Sequence, residues 1–322
     1  MSSIHALSPS KIWSMNMYKH LFVIVLVFYS MLISQSVSAC TFCMATLNGT
    51  TLFGSNEDND KAASNIWFLP AEEGKYGRVY LGYNDGFTQG GMNDRGLCFD
   101  GASTPKSNLK YHPKKKAYKG NLIAKIMEEC ATVDEVVKMV DEYQFTVLQK
   151  QGQLMFADAS GDAVVIGGPG QKGRGIDIIR KKKNYMVLTN FFPSNPKKGG
   201  HPCIRHSVAT QMFDLNSTPS IDNFVSILKA VHVEGNRTAT VYSHIFDLNT
   251  MTMKVFYFHN YKEDVEFKLE DELKKGPHSY KIKSLFADTE LPLVALAYFN
   301  DRKNPMALSK SLPKFIEYKP KD

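Results

Sequence analysis

The order of elements along this chain predicts a layered α+β domain, with sheets packed together and helices outside them. Two observations carry that reading. Strand-like runs, two helical patterns, more strands, two further helical patterns and a closing hairpin succeed one another between residues 40 and 268. Nothing in that span reads as a linker or an internal repeat, so the elements share one core.

The first strands are expected at 41–46 and 51–53, around an Asn48-Gly49 pair, the strongest short hairpin signal. Apolar runs at 65–69 and 78–83 continue the pattern, and residues 90–101, GGMNDRGLCFDG, read as two short strands about a turn at 93–96. A basic loop holding Pro105 and Pro113 precedes the helices. Leu122, Ile123, Ile126, Met127 and Cys130 share one helical face. Thr132 and Glu135 form a capping box, behind which Val133, Val136, Val137 and Val140 repeat at helical spacing. Strands return at 153–158 and 163–168, joined by the turn 159–162, and again at 184–190. Helices follow at 203–213 and 220–231, then a hairpin of 240–247 and 254–260 turning near 248–250. From about 270 the chain is Lys- and Pro-rich and gives no clear element.

The start of the chain predicts export. Lys19 and His20 precede the apolar run 21–33, which is short of the roughly 20 residues a membrane span needs. Small residues ending in Val37-Ser38-Ala39 complete a secretory signal, so the protein is expected outside the cytoplasm, periplasmic or secreted. Removing 39 of 322 residues leaves 283 (322 − 39), and losing Lys11 and Lys19 lowers the formal charge from +7 to +5. The expected domains are then a signal at 1–39, a catalytic domain at 40–268 and a C-terminal extension at 269–322 packed on it. The basic runs 114–116 and 180–183 read as solvated faces, with no nucleic-acid motif beside them. His201, His206, His232, His244 and His259 show no metal-ligand spacing, and His244 and His259 read as packing or surface residues of the hairpin.

Cysteines stand at 40, 43, 98, 130 and 203, an odd number that fits two disulfides and one thiol kept for chemistry. Cys40 is the candidate, because it follows the signal directly. A thiol with an ordinary pKa of about 8.5 needs a base before it becomes a good nucleophile. An N-terminal Cys carries one in its own α-amine, of pKa about 8. That amine exists only once the Ala39–Cys40 bond is cut. Two rivals explain Cys40 differently: a lipobox, with Cys40 acylated on a tethered binding module, or a Cys-x-x-Cys redox pair with Cys43. Sequons at Asn48, Asn216 and Asn236 matter only in a eukaryotic secretory pathway.

Cys40-Thr41 followed by two strands and LFGSNEDND resembles the N-terminal-nucleophile (Ntn) amide hydrolases related to choloylglycine hydrolase, penicillin V acylase and isopenicillin-N acyltransferase. GMNDRGL (91–97), VLTNF (187–191), CIRHSVATQMF (203–213) and the late hairpin extend the resemblance, in order, over about residues 40–262. It implies a four-layer αββα sandwich of two antiparallel sheets between helices. It makes Cys40 the nucleophile that cleaves a linear amide through a thioester, with the acyl group passing to water or to an amine. Asp58 would hold the α-ammonium. Asn190 would donate to the developing oxyanion, with Asn93 a second polar contact, and Arg205 would steady the constellation through its planar fork. The implied partner is a small N-acyl amide; no metal or organic cofactor is implied, and a homo-oligomer is compatible. One departure stands out: bile-salt hydrolases and penicillin V acylases usually carry Arg where this chain has Ser55, so neither substrate is assigned.

Overall fold

Period-two alternation in the first strand sets the layers. β1 (Thr41–Leu47) sends Phe42 and Met44 into the core between two sheets, and Cys43 and Ala45 to the opposite face, under helices. The computed structural model describes residues 40–59, 63–83, 86–107, 114–145, 152–168, 176–235 and 238–286. The expected signal at 1–39, the sequon at Asn236 and the extension beyond 286 lie outside the described residues.

β1 turns into β2 (Thr50–Asn59) through Asn48 and Gly49, with φ of 51° and 81°, the left-handed pair that a two-residue hairpin turn requires. β10 (Tyr185–Leu188), β11 (Ala239–Asp247), β12 (Thr252–Tyr257) and β13 (Val265–Lys268) complete a six-stranded sheet in the order β10-β1-β2-β11-β12-β13. The second sheet holds β3 (Ser64–Leu69), β4 (Arg78–Tyr83), β5 (Thr88–Asn93), β6 (Cys98–Ala102), β7 (Gln153–Ala157), β8 (Ala163–Gly167), β9 (Asp177–Arg180) and β14 (His278–Lys281), with β14 beside β3 at one edge. Neighbouring strands are antiparallel throughout both sheets.

α1 (Leu122–Glu129) and α2 (Val133–Glu142) cover the eight-stranded sheet, burying Ile123, Ile126, Val136 and Val140 against Phe99 and Phe156. The capping box at Thr132 and Glu135 forms as expected. α3 (Ile204–Leu215) and α4 (Ile221–Val231) cover the six-stranded sheet, packing Phe213, Phe224 and Leu228 on Cys43, Ala45 and Leu52. The result is an αββα sandwich.

The structure departs from the sequence reading in three places. β2 runs on past Phe53 to Asn59, because β1 and β11 flank it and bury it on both sides, so Asn56 and Asp58 are strand residues. β9 is a short, half-buried edge strand where no strand is expected, and it ends at Arg180, the first residue of the run read as a basic face. After β13, α5 (Leu269–Leu273), β14 and a 3-10 turn at Ile282–Phe286 stay with the sandwich, and Ile282 and Phe286 enter the core between the sheets. Basic residues of the two runs pair with the chain's own carboxylates: Lys116 with Glu142, Arg180 with Asp134 and Asp162, Lys183 with Asp214.

Candidate active site

Strand register builds the site. Thr41 pairs with Asn56, so Cys40, one residue earlier, comes level with Glu57, and its Sγ lies 3.4 Å from Glu57 Oε2. Pleating then separates two adjacent carboxylates. Glu57 shares its parity with Phe53 and faces the core between the sheets, while Asp58 faces the helical layer.

On the helical side, Arg205 in the first turn of α3 acts as a clamp. Its Nη1 donates to the Cys40 carbonyl at 2.8 Å and to Thr41 Oγ1 at 2.7 Å, and its Nη2 donates to Asn190 Oδ1 at 2.9 Å. The same Nη1 lies 3.5 Å from Asp58 Oδ2, and Thr240 Oγ1 donates to Asp58 Oδ1 at 2.5 Å. Asn190 follows β10 and donates from Nδ2 to the Ser103 carbonyl at 2.9 Å. Four of the five expected residues, Cys40, Asp58, Asn190 and Arg205, are therefore joined.

Asn93 is not joined to them. Its Nδ2 donates to the carbonyls of Met127 and Cys130, and its Oδ1 accepts from the N–H groups of Arg95 and Leu97. Those four bonds use the full capacity of an amide side chain. Asn93 ties the β5–β6 turn to the end of α1, so its expected oxyanion contact is corrected to a structural one.

Cys43 points away from Cys40, into the helical layer, and donates to the Gly54 carbonyl at 3.7 Å. Burial pushes its thiol up to about 12. All five cysteines are free thiols, so the two disulfides their number would allow do not form and there is no Cys40–Cys43 pair.

The side between the sheets holds what the sequence reading passed over. Ser55 Oγ donates to Glu57 Oε1, and Asp100 on β6 and His244 on β11 close around the same carboxyl, with ligand atoms of all three within 4.8 Å of one another. Gln89 Nε2 lies 4.0 Å from Cys40 Sγ. Alternation was the available signal: Glu57 keeps the parity of Phe53, and Asp100 that of Cys98 and Ala102. His244, expected to be a packing or surface residue, is fully buried with its ring against Phe246, and it also faces Asp100.

Electrostatics follow from burial. Loss of water raises the Cys40 thiol well above its ordinary value, and Glu57 and Asp58 raise it further, so Cys40 rests as a neutral thiol. Burial pushes the Asp58 carboxyl up to about 8, against the opposing pull of Arg205 and Thr240. Glu57 is raised to about 7 by burial, and Asp100 well above its ordinary range by burial and then by Glu57. Burial lowers His244 to about 3, which leaves a neutral imidazole with a lone pair to offer.

A sequence profile of the acyl-coenzyme A:6-aminopenicillanic acid acyl-transferase family matches residues 45–263. Penicillin V acylase of Pectobacterium atrosepticum is 30% identical over 166 residues, covering 41% of this chain and 42% of that protein, so the match spans under half of the relative's length. Among solved structures, a mutant conjugated bile acid hydrolase from Clostridium perfringens superposes with a TM-score of 0.59 at 15% identity, over 76% of this chain and 96% of that one. Penicillin V acylase from Agrobacterium tumefaciens gives 0.53 at 18% identity, over 68% and 82%. At such identities the structural likeness is one of fold, the Ntn-hydrolase sandwich.

Proposed function

Since the chain belongs to the acyl-coenzyme A:6-aminopenicillanic acid acyl-transferase family, we propose that it is an exported amide hydrolase whose nucleophile is the thiol of a processed, N-terminal Cys40. The observation that carries this reading is the Arg205 clamp, which gathers Thr41, Asn190 and Asp58 around the main chain of Cys40. Such convergence is what a nucleophile, its base and an oxyanion donor require.

The chemistry runs on the chain's own groups. Cleavage after Ala39 frees the Cys40 α-amine, which takes the thiol proton, and Asp58 stabilises the resulting ammonium. The sulfur attacks the amide carbonyl, a C–S bond forms, and the carbonyl π pair moves to oxygen. Asn190 has two amide hydrogens and uses one on Ser103; the other serves the oxyanion, a contact worth about 3 kcal/mol in comparable sites. Collapse breaks the C–N bond, and the leaving amine takes the proton held by the α-ammonium. Water attacks the thioester, gives its proton to the α-amine, and restores the thiol as the acid leaves. An amine in place of water makes the same site an acyltransferase, the activity for which the family profile is named. A lipid-anchored binding module asks for an exposed Cys40, whereas this residue is 1% exposed.

Acid-quenched mass spectrometry with a panel of N-acyl 4-nitroanilides tests the reading. The peptide that starts at Cys40 should gain the mass of the acyl group, and the Cys40→Ala protein should gain nothing. Turnover without that adduct, or a diacylglyceryl group on Cys40, would contradict it.

A further inference from the structure

Opposite the clamp, between the sheets, the chain gathers acceptors and supplies no cation. Glu57, Asp100 and His244 are fully buried, and among the described residues no Lys or Arg pairs with either carboxyl. Glu57 and Asp100 hydrogen-bond each other, whereas both ring nitrogens of His244 and the hydroxyl of nearby Tyr242 have no hydrogen-bond partner. His244 Nε2 stands 3.6 Å from Asp100 Oδ2, outside hydrogen-bond distance. Buried polar atoms left unbonded are costly, and one ring nitrogen of His244 lies with the Glu57 and Asp100 carboxyls within 4.8 Å, a place where a donor can bind.

The donor the geometry fits is a primary ammonium. It offers three N–H bonds, and three side chains with ligand atoms within 4.8 Å of one another stand ready to accept them. The place also fixes where on a substrate the ammonium sits. Glu57 Oε2 is 3.4 Å from the attacking sulfur, and an α-amine is about 2.5 Å from its carbonyl carbon, two bonds away. A transition metal in the same place would draw the Cys40 thiolate into its ligand set, since sulfur suits such ions, and the nucleophile would be lost. An ammonium does the reverse, because a nearby positive charge favours the thiolate.

We propose, resting on the amide-hydrolase reading above, that Glu57, Asp100 and His244 bind a primary ammonium on the acyl part of the substrate, beside the carbonyl that Cys40 attacks. The substrates are then aminoacyl amides, and the substrate brings the positive charge that Ser55, a neutral hydroxyl, does not supply to Glu57.

Calorimetry on the Cys40→Ala protein tests this with two amides that differ only in the ammonium, phenylalaninamide and 3-phenylpropionamide. Phenylalaninamide should bind at least thirtyfold more tightly, and Glu57→Gln or Asp100→Asn, each nearly isosteric, should erase the difference. Equal binding, no binding of either amide, or a preference that survives both substitutions would overturn the proposal. So would stoichiometric Zn²⁺ that displaces phenylalaninamide and is lost in His244→Gln, which reassigns the triad to a metal. The two readings fail separately. If the wild-type thiol takes acyl groups lacking an amine as readily as aminoacyl groups, the hydrolase stands and the ammonium site falls. If no thioester forms with any donor while phenylalaninamide still binds the Cys40→Ala protein, the reverse holds.

Discussion

The two faces of β2 carry adjacent carboxylates that the pleat assigns to different surroundings. Asp58 meets a guanidinium, a hydroxyl and, through Arg205, the backbone of the nucleophile. Glu57, one residue earlier, meets a second carboxyl, a neutral imidazole and the nucleophile's sulfur. Both are fully buried, so the difference lies in their partners. A single strand residue of offset separates a carboxyl held by a guanidinium from one held by a second carboxyl and a hydroxyl, with no Lys or Arg beside it among the described residues.

The largest expected effects come from the Asp58 face. Asp58→Asn and Arg205→Lys should each lower kcat by about a thousandfold, since a lone ammonium in place of the fork cannot span Cys40, Thr41, Asn190 and Asp58 together. Steady-state kinetics with folded protein checks this, and near-normal kcat in either variant would make the clamp a structural feature only. Asn190→Ala should lower kcat about a hundredfold with little change in KM, because an oxyanion donor acts on the transition state. Asn190→Asp should be worse. Should both keep normal kcat while Tm falls, Asn190 caps β10 and does not donate to the oxyanion.

The Glu57 face predicts a pH effect on stability. Its carboxyl is held near 7 in the fold against an ordinary value of 4.5, so the folded protein binds that proton more tightly than the unfolded chain does. The stabilisation from this shift is complete below about pH 4.5 and is lost as pH rises through about 7. Glu57→Gln lacks the titration. Scanning calorimetry should therefore show the wild-type Tm falling by several degrees relative to the variant between pH 4.5 and 7.5, and parallel Tm profiles would contradict the assignment. Smaller still in its effect on turnover is Asn93→Ala, which strips four main-chain groups of their partner. It should cost about 3 kcal/mol or more in stability while kcat stays within a few-fold, measured below the variant's Tm.

Much of this was legible in the sequence because the signals were local. The Asn48-Gly49 turn, the Thr132 box and the valine repeat each name their own structure, and the layered α+β class follows from the succession of elements. Cys40, Asp58, Asn190 and Arg205 were legible through the order of short motifs. Asn93 misled because an Asn ahead of Gly96 reads alike whether it serves chemistry or a turn; its partners, Met127 and Cys130, lie more than thirty residues away. Asp100 and His244 were missed for the same reason: each is a polar residue within an apolar strand, and only the facing of two sheets brings them to Glu57. β14 was hidden in a Lys- and Pro-rich stretch whose pairing with β3 is set by tertiary contact.

The claim that bears most weight is that the Cys40 α-amine, held on the Asp58 side, activates the thiol. Single-turnover acylation should be compared between a protein beginning at Cys40 and one carrying a single extra glycine ahead of it. The account predicts that the extension slows formation of the Cys40 thioester by at least a thousandfold while the Tm changes little. Equal acylation rates would show that the amine takes no part, and would move the base to another group beside the sulfur, with Glu57 at 3.4 Å the first to examine.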